Sequence, residues 1–126
     1  GSFDVTTQKV EFFNLGHNPP IFISEKGEIK LFHATSVPFG ISPETDSNMK
    51  KEEENLSKGR IFFYTDGFPE TKHEGKEIGE EGLIEQIKLS ITSSAQETTN
   101  NLMAQTIFNP EQLADDMTFM TLGPLR

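Results

Sequence analysis

Cysteine is absent from this chain. That excludes a disulfide framework, a thiolate metal ligand and a cysteine nucleophile, and it suits a cytosolic setting. Long apolar runs are missing too. No stretch approaches the roughly 20 residues that span a bilayer, and no charged-then-apolar secretory leader is visible. The expectation is a soluble, cytoplasmic piece without direct membrane contact. Positive charge is scarce: 11 Lys and Arg stand against 20 acidic residues, a formal net charge of −9. Such a surface repels phosphate backbones and argues against nucleic acid as a partner. Beyond that, acidity by itself implies only solubility.

What is present fits one domain. The 126 residues are 33% hydrophobic and include 11 Phe, enough for a modest single core. Gly1-Ser2 read as a cloning scar ahead of a chain that starts inside a strand at Phe3. Residues 3–14 alternate around a turn at Thr7-Gln8, the pattern of two short paired strands. A second hairpin is predicted where Ile21-Phe22-Ile23-Ser24 and Glu28-Ile29-Lys30-Leu31-Phe32 flank Glu25-Lys26-Gly27. Val37-Pro38-Phe39-Gly40-Ile41 is broken by Pro and Gly and reads as a short strand or turn entering a loop over 42–55. The block Lys50-Lys51-Glu52-Glu53-Glu54 in that loop is expected to be a solvated segment.

The most apolar run, Arg60-Ile61-Phe62-Phe63-Tyr64-Thr65, has the β-branched and aromatic content of a central strand covered on both faces. Asp66-Gly67-Phe68-Pro69 must end it. From 79 to 91, Leu83, Ile84, Ile87 and Ile91 recur at helical spacing, with Glu80, Glu81 and Glu85 towards the dipole's positive end. Ser93-Ser94 separates this helix from another over 95–108, with Leu102, Met103, Thr106 and Ile107 inward and Asn109-Pro110 as its stop. Residues 117–122 alternate as a last strand. The fold class is α+β, with antiparallel hairpins first and helices later.

Two acidic sites sit at strand edges: Asp66 just after the central strand and Asp115-Asp116 just before the last. If those strands are antiparallel neighbours, the carboxylates meet at one end of a sheet. Crowded carboxylates raise one another's pKa unless a cation joins them, and oxygen-only ligands favour Mg²⁺ or Mn²⁺. Both sites also have an ordinary reading, since Asp-Gly closes turns and Asp-Asp caps loops.

The run from Ile61 through Tyr64-Thr65-Asp66-Gly67 to Phe68-Pro69-Glu70-Thr71 resembles the signature of the SpoIIE/RsbU-like branch of the PPM-type (protein phosphatase 2C-like) serine/threonine phosphatases. Asn14-Leu15-Gly16-His17-Asn18-Pro19-Pro20 is similar to that branch's Gly-His-x-Pro turn, Pro38-Phe39-Gly40-Ile41 to its Pro-Leu-Gly segment and Glu77-Ile78-Gly79 to its Phe-Gly helix start. Asp115-Asp116-Met117-Thr118 looks like its terminal Asp-Asp-Ile-Thr. The matches keep the family's order along nearly the whole chain. Arg60 departs from the pattern, standing where the family commonly has an acidic residue.

The resemblance implies part of an α-β-β-α sandwich with antiparallel sheets and C-terminal helices, residues 3–126 being the C-terminal portion of the domain and its first half missing. It implies that Asp66 and Asp115 are metal ligands, that Asp116 and Gly67 lie beside them as supports or a further ligand, and that Gly16, His17 and Pro19 form a structural turn in which the histidine hydrogen-bonds the loop. His33 and His73 have no such context. The intact domain would hold two ions, Mn²⁺ or Mg²⁺, whose shared water attacks phosphoserine or phosphothreonine of a phosphorylated anti-anti-sigma-type regulator in a bacterium. This piece alone would be inactive, and its exposed sheet edges would favour self-association. Two alternatives stand beside that reading. One is a non-catalytic pseudo-phosphatase, serving as an interaction or sensor-output domain that makes protein contacts near 50–54. The other is a module binding one cation.

Overall fold

A computed structural model describes residues 1–34, 50–107 and 116–124 of the chain. The expected turn or strand at 37–41, the loop over 42–49, the helix stop at Asn109-Pro110 and Asp115 lie outside the described residues. Among the described residues there are nine strands, two α-helices and a short 3-10 helix at Leu56–Lys58, an α+β composition. The chain divides into one unit of Gly1–Ile61 with Leu122–Arg126 and another of Phe62–Thr121.

In the first unit, β1 (Ser2–Asp4) and β2 (Lys9–Phe13) form the expected hairpin, with Phe3 opposite Val10. Its turn is closed by Asp4, whose Oδ1 accepts the backbone N–H groups of Thr6 at 2.8 Å and Thr7 at 3.2 Å. A carboxylate that binds its own chain in this way is the usual chemistry of a tight turn. The second hairpin pairs β3 (Ile21–Ser24) with β4 (Ile29–Leu31), Ile21 opposite Leu31. Gly27 sits in its loop at φ +84, a conformation that a Cβ would strain.

Lys51–Asn55 overturns part of the expected charged loop. It is strand β5, antiparallel to β2 with Phe12 opposite Glu52 and Val10 opposite Glu54. The physical reason is charge pairing across the ladder. Lys9 reaches Glu11 at 3.1 Å and Glu53 at 3.0 Å, while Lys51 reaches Glu11 at 3.4 Å and Glu53 at 2.9 Å. Each lysine thus bridges two glutamates that would otherwise repel as cross-strand neighbours. The hydrogen-bonded order of this sheet is β1-β2-β5. An outermost strand does not need apolar residues on both faces, so periodicity of hydrophobic residues could not reveal it.

β6 (Gly59–Tyr64) is the expected central strand, with Ile61, Phe62 and Tyr64 buried. It belongs to a four-stranded sheet of order β4-β3-β6-β9. Gly59 lies so close against the Phe22 ring that any Cβ there would overlap it. Within the first unit the two sheets meet through Phe12 and Phe32, whose rings stand edge to face at 5.1 Å. This sheet-on-sheet contact is the β-β layer of a sandwich.

In the second unit a small hairpin, β7 (Lys72–His73) with β8 (Lys76–Glu77), precedes α1 (Gly79–Ser90). Leu83 and Ile87 of α1 are buried as expected. Ile91 is not part of this row: it leaves the helix with φ −65 and ψ 129 and is 39% exposed. Ser94 then starts α2 (Ala95–Ile107), its Oγ accepting the Glu97 N–H at 3.3 Å. A serine that takes up an orphan N–H in the first turn is a helix cap. Leu102 is buried and Met103 half-buried, while the side chains of Thr106 and Ile107 lie outside the described residues. The last strand, β9 (Phe119–Leu122), begins two residues later than its alternation predicts. Among the described residues no helix is long and apolar enough to cross a membrane.

Candidate functional site

The turn after β6 is built by its own backbone. The N–H of Phe68 donates to the Thr65 carbonyl, that of Glu70 to the Asp66 carbonyl and that of Thr71 to the Phe68 carbonyl, each at 3.1 Å. Gly67 is buried, and its carbonyl accepts the Thr71 hydroxyl at 2.9 Å. The turn is held down by Phe68, which has no exposed surface and lies 5.1 Å from the Phe119 ring, itself 5.7 Å from Phe62. Burying a Phe at such a point is worth about 3–5 kcal/mol against alanine. The turn therefore stays put while Asp66, at its start, remains exposed.

The same turn also anchors α1. Ile78 donates to the Thr71 carbonyl and Gly79 to the Pro69 carbonyl, both at 2.8 Å, which ties the first residues of the helix to it. Between these points stands the β7–β8 hairpin, which periodicity did not predict. Glu74 and Gly75 at its tip have φ of +53 and +81. Paired positive values are those of a two-residue hairpin turn. A Glu-Gly pair is a weaker cue for such a turn than Asn-Gly or Asp-Gly.

Thr65 joins this turn to the chain before β9. Its N–H donates to the Thr118 carbonyl at 3.1 Å, and its hydroxyl accepts the Thr118 N–H at 2.9 Å. The hydroxyl also approaches the Asp116 carbonyl at 3.5 Å. Thr65 lies one residue past the end of β6 and Thr118 one residue before the start of β9, so these neighbouring strands run antiparallel. The end of β6 that carries Asp66 is thus beside the stretch that carries Asp116. Both side chains are exposed. Asp115, the other expected ligand, is not among the described residues.

The donors brought together are carboxylate oxygens, the right chemistry for a hard divalent cation. Among the described residues no group of three or more His, Asp or Glu side chains gathers to hold one. Asp66 and Asp116 therefore fit such an ion in kind, and further oxygens are needed to complete its shell.

Tyr64 reports the local field. Its phenol is pushed up to about 12, first by burial and then by the negative charges of Glu80 and Asp66. Near neutral pH the phenol keeps its proton. Glu80 is assigned from the sequence only to the helix dipole, yet it contributes charge to the same corner of the unit. Thr65, Phe68 and Thr71 also escaped the sequence reading. Hydroxyls and aromatic rings carry no spacing rule that marks them as supports of an acidic turn.

In the first unit, the turn at 14–20 is organised by Asn14. Its buried amide donates to the Phe32 carbonyl at 3.0 Å, and its Oδ1 accepts the His17 backbone N–H at 2.9 Å. Gly16 takes φ +101, His17 is exposed and Pro19 half-buried. The histidine bonds the loop through its backbone N–H, and Asn14 is the partner that receives it.

Comparison with known proteins gives this geometry relatives. The sequence profile of the family Stage II sporulation protein E (SpoIIE) matches residues 1–123. Phosphoserine phosphatase RsbP of Bacillus subtilis (strain 168) is 33% identical over 67 residues, which are 51% of this chain and 16% of RsbP. The Mn-presoaked phosphatase domain of the cell fate determinant SpoIIE from Bacillus subtilis superposes with a TM-score of 0.70 at 21% identity, over 99% of this chain and 54% of that one. The SiaA-PP2C domain of Pseudomonas aeruginosa gives a TM-score of 0.66 at 15% identity, over 85% and 43%. The RsbU and RsbW domains of a Mycobacterium tuberculosis protein give 0.62 at 20%, over 98% and 35%. At these identities the structural likeness is one of fold, and the chain spans about half of the SpoIIE phosphatase domain that it matches.

Proposed function

Because the chain belongs to the Stage II sporulation protein E (SpoIIE) family, we propose that it is the C-terminal portion of a PPM-type phosphatase domain. That domain removes phosphate from phosphoserine or phosphothreonine; the relative RsbP is named a phosphoserine phosphatase. The substrate is a phosphorylated anti-anti-sigma-type regulator, and the setting is the cytoplasm. The observation that carries this reading is the two-bond pairing of Thr65 with Thr118, which sets the end of β6 beside the start of β9.

Asp66 and Asp115 are the ligands in this reading, with Asp116 and the Gly67 turn supporting them. PPM-type phosphatases depend on metal, and the pair of ions proposed here, Mn²⁺ or Mg²⁺, supplies Lewis acidity and a water nucleophile. The chain's own residues do the positioning. Asp66 offers its carboxylate from a turn immobilised by Phe68, and the neutral Tyr64 beneath adds no further negative charge. That matters because a phosphate group brings about −1.5 to −2 charges towards an acidic chain.

Part of the ligand shell is proposed to come from the first half of the domain, so this chain alone is inactive. The outermost strands β1 and β5 favour self-association, read by light scattering. The decisive assay compares the full-length protein, its Asp66→Asn variant and this chain alone on a phosphopeptide with Mn²⁺. Turnover by the full-length protein that Asp66→Asn abolishes is the expected result. Full activity in Asp66→Asn removes the metal role of that residue, and robust turnover by the isolated chain overturns the divided site.

A further inference from the structure

We propose that Thr65 is a positioning residue that sets the separation between Asp66 and Asp116. The proposal rests on the metal reading above and deepens it. Thr65 lies where the ladder of β6 ends, one residue before Asp66. A backbone donor just before β9, the Thr118 N–H, is taken up at 2.9 Å by the Thr65 hydroxyl instead of by a strand carbonyl. The Thr65 N–H returns a bond to the Thr118 carbonyl at 3.1 Å. The hydroxyl also reaches 3.5 Å from the Asp116 carbonyl, so one side-chain oxygen touches the acidic stretch at two points.

A second hydroxyl works on the other side of the turn. Thr71 donates to the Gly67 carbonyl at 2.9 Å and lies 3.8 Å from the Met117 sulfur. Residues 116–118 are therefore contacted by a threonine on each side of Asp66, and Thr65 bonds to their backbone. Without its hydroxyl, the ladder bond from the Thr65 N–H remains, but the Thr118 N–H loses its acceptor. Asp116 is then held less tightly relative to Asp66. Ligand-orienting contacts of this kind commonly change metal affinity by roughly 10- to 100-fold.

The test is Mn²⁺ titration by calorimetry of the full-length protein, with Thr65→Val, Thr65→Ser and Asp66→Asn in parallel and circular dichroism on each. Thr65→Val keeps the shape and the strand preference but loses the hydroxyl. The expected result is Mn²⁺ binding weaker by about tenfold or more in Thr65→Val, parent-like binding in Thr65→Ser, and an unchanged spectrum. Phosphopeptide turnover lost by Thr65→Val at low Mn²⁺ should return as Mn²⁺ is raised. Should Thr65→Val fail to fold, Thr65→Ala takes its place in the same comparison. Parent-like affinity in the hydroxyl-free variant, or equal weakening in Thr65→Ser, overturns the proposal. Binding lost in Asp66→Asn but retained in Thr65→Val sinks the positioning role alone. Binding retained in both sinks the metal reading with it.

Discussion

Tyr64 is the only tyrosine in a chain without tryptophan, so absorbance near the tyrosinate band reads a single buried side chain beside the acidic turn. In the folded chain its phenol is raised from 10.0 to about 12, chiefly by burial, then by Glu80 and then by Asp66. The sign of the linkage comes from the proton count. Between pH 10 and about 12 the folded chain holds a proton that the unfolded chain has released, so stability falls as pH rises through that window. At about 1.4 kcal/mol per pH unit the loss is at most about 3 kcal/mol. A spectrophotometric titration with circular dichroism on the same samples measures it. Glu80→Gln and Asp66→Asn should each lower the midpoint, by less than burial raises it. A midpoint near 10 while the far-ultraviolet spectrum is still native refutes the reasoning, because a tyrosine ionising normally in the folded chain is neither desolvated nor beside those carboxylates.

Phe68→Ala should destabilise the fold by about 3–5 kcal/mol in urea titrations, because the side chain is fully buried against Phe119. A loss below about 1 kcal/mol would mean that the turn after Asp66 is not held by that ring. The carboxyl of Glu53 is held down to about 2 by hydrogen bonds from Lys51 and then Lys9. Its contribution is complete above the ordinary value of 4.5 and is lost as pH falls towards 2. Thermal melts should therefore lose less stability over that range in Glu53→Gln than in the parent, and equal losses would remove the cross-strand cluster as a factor.

The sequence made the core of the fold legible wherever one physical signal dominated. The hairpins at 3–14 and 21–32 were marked by alternation, the central strand by its β-branched and aromatic run, and the helices by the spacing of Leu83, Ile87 and Leu102. β5 was hidden because its stabilisation is a cross-strand charge pattern, and Lys51 and Glu53 acquire meaning only once Lys9 and Glu11 stand opposite. Asp66 drew attention because the run from Ile61 to Thr71 around it resembles a family signature. Its supports did not, since Thr65 acts through backbone atoms 51 and 53 residues away, and Thr71 through the Gly67 carbonyl and a methionine sulfur 46 residues away. Asn14 was passed over for the neighbouring His17 for a similar reason: histidine suggests chemistry by its type, whereas an amide that closes a turn is visible only by its partners.

Register is where stability and the proposed chemistry become one problem. Along β9 the half-buried Phe119 packs on Phe62 and Phe68 while the next residue, Met120, is 48% exposed. A slip of one residue against β6 would exchange these two, because side chains alternate between the faces of a strand. It would also carry the chain before β9 along by about 3.3 Å. A cation–oxygen bond is only about 2.0–2.6 Å long, so a displacement of that size separates a carboxylate from any ion shared with Asp66. The aromatic stack and the Thr65 hydrogen bonds both fit this register. A substitution at Phe119 therefore reaches the acidic turn twice, through its contact with Phe68 and through the alignment of β9.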